Sequence, residues 1–244
     1  MKILNRKSNS IFKKFSKEEN EVWHILVTRR QKSLEGLVLP LHTAGWQKLG
    51  MSTEQIPNFG EINTKLAKLT GWQVESTGVQ YEEDHDWLTS LAKKKIRVTE
   101  YIRSRDSLDY TPLPDVFHDA FGHLPYLANP KYARIAHKFG LAYVSAKTKE
   151  DKLKVANNWW YGIEFSFLKV NGKLRPLGTG LVSSEGELIN ALSNKVEKLA
   201  YDREVVGAID RSAHEYHEKL FVLESLDQLE KVADSYFTSF TEKS

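Results

Sequence analysis

PDVFHDAFGHLP, residues 114–125, places two imidazoles five positions apart, with an acid beside the first and a glycine just before the second. Pro114 and Asp115 read as a helix entrance, the Asp115 carboxylate accepting free backbone N–H groups of the first turn. Gly122 reads as the exit and Pro125 as the residue that prevents continuation. On a regular α-helix, residues five apart differ in direction by about 140°. His118 and His123 therefore share a face only if the helix distorts or ends between them, and Gly122 stands where that departure is needed.

Two neutral imidazoles are a poor metal site by themselves, so a third ligand is sought as an acid on the wrong face of another helix. WWYGIEFSF, residues 159–167, supplies one: Trp160, Ile163, Glu164 and Phe167 recur at i, i+3, i+4 and i+7, which puts the carboxylate inside an apolar stripe. A buried unpaired carboxylate costs on the order of several kcal/mol and requires a metal or a cationic partner. Two His and one carboxylate with three open positions form the facial triad of non-haem iron(II) oxygenases. With one open position they describe a hydrolytic zinc. Two hydrogen-bonded histidines and a Glu164 paired to some Lys or Arg would be structural only, and the spacing leaves all three readings standing.

The remaining composition narrows the classes. With 244 residues, 41% hydrophobic and 27% charged, the chain can bury a core of its own, and six Trp speak against disorder. The absence of cysteine excludes thiolate nucleophiles and Cys-ligated zinc or iron–sulfur centres, so any metal is held by His, Asp or Glu, and it fits a reducing cytoplasm. The net charge of +3 belongs to the N-terminus: Lys2, Arg6, Lys7, Lys13, Lys14 and Lys17 precede any acid, and the rest of the chain has 29 basic against 32 acidic residues. Residues 1–18 are expected to be a basic, flexible tail and residues 19–244 one catalytic domain. The Lys93 to Lys95 run has no basic face around it, so no nucleic-acid partner is expected, and no stretch has the apolar length of a membrane span.

The chain reads as mainly α with small β elements. Helical spacing starts near Glu19, ends near Gly36, and returns with Ile62, Leu66 and Leu69 before Gly71. WQVESTGV and KIRVTEYIR read as strands around a short helix at Trp87 to Lys93. Helices follow at roughly 116–121, 131–147 and 151–166, then a hairpin at Asn171-Gly172. Ser184 and Glu187 form a capping-box pattern before a helical GELINALSNKVEKLAYD, and a last helix runs through LDQLEKVADSYF.

YIRSRDSLDYTPLPDVFHDAFGHLPYLANP, residues 101–130, resembles the pterin-dependent aromatic amino acid hydroxylases, most of all the short bacterial phenylalanine hydroxylases. IEF at Ile163 to Phe165, GTGLVSSEGEL at Gly178 to Leu188 and LFVLESLDQL near the C-terminus follow in the family's order, so the likeness covers about four fifths of the chain. The resemblance implies a single catalytic domain of that type with His118, His123 and Glu164 as iron(II) ligands. It implies that Arg103 holds the substrate carboxylate by a planar fork, aided by Thr111 and Ser183, and that Pro114, Trp160 and Phe165 wall the aromatic pocket. Trp87 would stack on the tetrahydropterin, with Gly78 in the pterin loop, while Asp115 and Asp119 would lie behind the ligands, Asp115 fixing a histidine tautomer. HEYH at 214–217 matches nothing catalytic in the family and reads as structural.

The sequence also departs from the family. Pro112-Leu113-Pro114 replaces Pro-Glu-Pro, Asp119 stands where glutamate is common, and Trp159 occupies a site often held by tyrosine. Neither an N-terminal regulatory domain nor a long tetramerisation helix is expected, so a monomer or small homo-oligomer is. The implied activity is phenylalanine 4-hydroxylation to tyrosine with O2 and a tetrahydropterin. Hydroxylation of tryptophan, tyrosine or another ring position is the alternative within the class, and a zinc hydrolase or an inactive binding protein the alternatives outside it.

Overall fold

Ser16 and Glu19 begin the first helix by reciprocal capping, the Ser16 hydroxyl accepting from the Glu19 N–H and the Glu19 carboxylate from the Ser16 N–H. The computed structural model describes residues 12–77, 84–109, 111, 113–210 and 217–242. Helix α1 (Lys17–Ser33) buries Val22, Trp23, Leu26, Val27 and Arg30. The folded part starts earlier than residue 19: the ring of Phe12 lies 4.3 Å from that of Phe59, and Phe15 meets Phe59 edge-on. These two aromatics cover apolar surface at Phe59; residues 1–11 lie outside the described part.

Helices α2 (Pro40–Leu49) and α3 (Phe59–Thr70) end at Gly50 and Gly71, both with positive φ. Strand β1 (Gln73–Ser76), helix α4 (Asp84–Leu91) and strand β2 (Lys95–Val98) form a parallel two-stranded unit with the helix as its crossover. A π-helical turn at His118–His123 runs on into α5 (Leu124–Leu127), followed by α6 (Pro130–Ser145) and α7 (Lys149–Trp159). A second π turn, Trp160–Glu164, ends α7. Strands β3 (Ser166–Val170) and β4 (Lys173–Pro176) meet across Asn171-Gly172, whose φ values of 52° and 75° are those of a type I′ turn. Helices α8 (Thr179–Ser183) and α9 (Glu185–Leu192), strand β5 (Glu197–Ala200), helix α10 (Arg203–Gly207), strand β6 (Lys219–Leu223) and helix α11 (Leu226–Thr241) complete the order.

The larger sheet runs β4-β3-β6-β5, antiparallel only at β3–β4. Two expectations fail here. The segment after Leu192 is not helical: Glu197–Ala200 pairs with β6, because an edge strand needs only one partner and carries no run of β-branched residues to announce it. Phe167 belongs to β3 rather than to the helix of Glu164, so the i+7 member of the apolar stripe is buried by the sheet instead. Among the described residues no helix is long and apolar enough to cross a membrane.

Candidate metal centre

Neither histidine sits on a regular helix. Pairing by i→i+5 brings residue i+5 round above residue i, so the π turn sets the two rings side by side with Nε2 to Nε2 at 3.3 Å. The distortion is therefore the one the spacing demanded, but Gly122 does not end the helix. It keeps out of the positive-φ set, the winding continues through Pro125, and the reason for glycine is close packing: a Cβ there would lie 3.2 Å from the Thr179 carbonyl oxygen on α8.

Glu164 closes the second π turn, marked by the Phe165 N–H reaching back to the Trp160 carbonyl at 2.9 Å. Its Oε1 is 3.4 Å from His123 Nε2 and its Oε2 3.8 Å from His118 Nε2. Separations of this size suit donors that share one ion at about 2 Å. Among the described residues this is the one trio of His, Asp or Glu side chains so converged. Burial holds the His123 imidazole down to about 3; burial, then the neighbouring His123, hold His118 down to about 4 against the pull of Glu164. Two neutral rings around a buried carboxylate leave a negative charge that a metal cation neutralises, so the residues fit a His, His, Glu metal site.

The ligands are fixed from behind by neutral donors. The Trp159 indole N–H donates to Glu164 Oε1 at 3.0 Å, and the Thr179 hydroxyl donates to Oε2. Ser183, one turn beyond Thr179, lies 2.8 Å from His118 Nδ1, so with Nε2 facing the ion the Nδ1–H donates to its hydroxyl. Helix α8 thus touches both π turns. Gly178 and Gly180 let it approach, since Cβ atoms there would lie 2.3 Å and 3.1 Å from the Glu164 carbonyl oxygen. Its last carbonyls, Leu181 and Val182, accept from the buried Arg30 guanidinium of α1.

A family model described as biopterin-dependent aromatic amino acid hydroxylase matches residues 8–243. The chain belongs to this family. A phenylalanine-4-hydroxylase of Pseudomonas aeruginosa is 34% identical over 193 residues, 79% of this chain and 73% of that protein. The tyrosine 3-monooxygenase of Rattus norvegicus is 32% identical over 199 residues, 80% of this chain and 40% of its own length. The solved structure of Chromobacterium violaceum phenylalanine hydroxylase with bound iron(III) and oxidized 7,8-dihydrobiopterin has a TM-score of 0.86 and 29% identity, covering 94% of this chain and 83% of that one. Membership in a hydroxylase family favours the oxygenase over the hydrolytic zinc that the donor set alone allowed.

The other expected site residues fall into three groups. Arg103 and Asp115 form a two-pronged ion pair, Nε to Oδ2 at 2.8 Å and Nη2 to Oδ1 at 3.0 Å, and Asp115 Oδ1 also accepts the His118 N–H at 3.2 Å. Asp115 therefore caps the first π turn and carries Arg103 on it. The His118 ring thus meets Ser183, while Asp115 meets the His118 backbone N–H and the Arg103 guanidinium. Asp119, pushed up to about 8 by burial, accepts the Thr99 N–H at 2.8 Å and so ties the end of β2 to the turn.

Trp160 and Phe165 pack together at 4.8 Å, and both meet His217, whose Nε2 accepts the Trp160 indole N–H at 2.8 Å. His217 thus joins the aromatic wall, which the HEYH pattern did not show; His214 lies outside the described residues. Pro114 is exposed, and the Thr111 hydroxyl donates to the Leu113 carbonyl at 3.0 Å. The Trp87 ring stands 5.3 Å from that of His123, and its indole N–H, shielded from solvent, meets no acceptor among the described residues. Gly78 and Pro112 lie outside them. Neither Trp159 nor Thr179 was read as a donor to Glu164, although each lies inside a stretch already quoted, Trp159 in WWYGIEFSF at a position often held by tyrosine and Thr179 in GTGLVSSEGEL.

Proposed function

We propose that this chain is a pterin- and iron(II)-dependent monooxygenase that converts phenylalanine to tyrosine. The observation that carries the reading is the convergence of His118, His123 and Glu164, in a hydroxylase-family chain, on one point walled by aromatic rings. When bound, iron(II) and the reduced pterin supply the activation of O2 and the electrons for it. The chain's part is to bind and to orient. Arg103, its Nε and Nη2 fixed by Asp115, offers Nη1 to the carboxylate of an amino acid. Because Asp115 also caps the turn of His118, this anchor and the metal are held in one register, which selects the ring carbon that faces the ion.

Trp160 and Phe165 supply apolar surface for the substrate ring, Thr111 and Pro114 are assigned beside it, and Ser183 acts on the substrate side only through the His118 ring it holds. Trp87 supplies a flat face beside His123 and a buried donor in want of an acceptor, which a pterin ring provides. Gly78 is assigned to the same cofactor's loop, and Asp119 holds the ligand turn to β2. Purified protein loaded with iron(II) and tetrahydropterin is expected to consume O2 with phenylalanine and to release tyrosine, identified by mass spectrometry and NMR. The similar identity to a tyrosine 3-monooxygenase makes tyrosine, and with it tryptophan, the second substrate to assay. No pterin-dependent O2 uptake with any of the three would end the proposal.

A further inference from the structure

The carbonyl of Phe121 occupies the middle of the first π turn. In α-helical pairing it would accept from residue 125, but Pro125 has no N–H to give. A side chain from another helix takes that place: His42 Nε2 on α2 lies 2.8 Å from the Phe121 oxygen. A carbonyl can only accept, so Nε2 carries the proton. Burial, which holds this imidazole down to about 4, keeps it neutral. The ring is 4% exposed and is wedged between Phe121 at 5.3 Å and Tyr126 at 5.1 Å. Its helix is pressed against the same turn, since a Cβ on Gly45 would lie 1.8 Å from the Pro125 oxygen. The donor therefore comes from a fixed direction.

We propose that His42 is a positioning residue for the metal centre: by donating to the Phe121 carbonyl it holds the π winding that sets His118 and His123 side by side. The inference rests on the reading of these two as ligands. A buried carbonyl left without a donor is costly, and the turn would rearrange to satisfy it. Regular α-helical winding offers that carbonyl no N–H, since its donor would be Pro125, so it is satisfied only by some other rearrangement of the turn, and any change of winding alters the angle between side chains five residues apart and moves the two imidazoles from their side-by-side setting. His42 touches neither the ion nor the ligand rings, and it acts only through the backbone between them.

The test is titration of the metal-free protein with Co(II), reading affinity and the Co(II) absorption spectrum, with no substrate or pterin present. His42→Phe and His42→Met fill the space without a donor and are expected to bind Co(II) roughly tenfold or more weakly, the range seen when outer partners of ligands are removed. His42→Gln keeps an N–H and is expected to bind near the parent level. Leu66→Ala, in the core of α3, serves as a variant of lowered stability and is expected to keep the parent affinity. Parent-like binding by a folded Phe or Met variant would overturn the proposal. So would a Gln variant as weak as Phe, or an equal loss in Leu66→Ala. A parent protein that takes up no Co(II) would instead remove the metal reading itself.

Discussion

Glu164 and Glu230 are both glutamates held by more than one donor, and they show two opposite uses of a carboxylate. Glu230, on α11, receives Arg134 Nε at 2.7 Å and Lys138 Nζ at 2.8 Å from α6; Lys138 also reaches Asp234, and Lys131 pairs with Asp227. Its donors are cations, and they hold its carboxyl at about 2, Arg134 contributing first. Glu164 receives an indole N–H and a hydroxyl, both neutral, and faces two imidazoles kept neutral by burial. The first carboxylate is neutralised inside the chain and joins two helices at the surface. The second is aimed by an indole and a hydroxyl at two imidazoles, so the seam is built with cationic donors and the candidate binding site with neutral ones among those described.

Removing the Glu164 carboxylate is the hardest test of the contrast. Glu164→Ala is expected to lower metal affinity by more than the roughly 100-fold that loss of an outer partner can cause and to abolish hydroxylation; full metal occupancy with activity would show that another acid is the ligand. Next come the neutral donors. Trp159→Phe and Thr179→Val each free one oxygen of Glu164, and a loss of about 10- to 100-fold in metal affinity is expected from each, measured by competition with a chelator.

Arg103→Lys should leave metal affinity in place and raise the apparent KM for the amino acid, since an ammonium cannot be held by Asp115 at two points and still present a further N–H to the substrate; an unchanged KM would take Arg103 out of the substrate site. The smallest effect belongs to the seam. Glu230→Gln is expected to cost about 1 kcal/mol or less and to leave metal binding alone. The sign of its pH dependence follows from a folded pKa lowered below the ordinary 4.5. The stabilisation is complete above pH 4.5 and fades as pH falls toward 2, so the difference in Tm between parent and Glu230→Gln should shrink over that interval.

What could be read in advance was the chemistry of the ligands, and what could not was the winding that presents them. His118 and His123 were visible as a pair that an α-helix would separate, and Glu164 as an acid among Trp160 and Ile163. The π turns leave no periodic signature of their own, because five residues of either winding contain the same side chains. Gly122 was misread as a terminator since a glycine needed for close packing looks the same as one needed for positive φ. The donors Trp159, Thr179 and His42 were hidden for a further reason: each is a single polar group on a helix with no partner pattern in the sequence, and its role depends on which carbonyl or carboxylate the fold brings to it.

Helix α8 has only five residues, yet it reaches both ligand-bearing turns and is itself gripped by Arg30 near the start of the chain. All three ligands precede Thr179 and Ser183 in the order of synthesis. A nascent polypeptide stopped after Glu164 holds every coordinating atom but none of the hydroxyls that aim them, so high-affinity iron capture belongs to the finished molecule and not to the growing one.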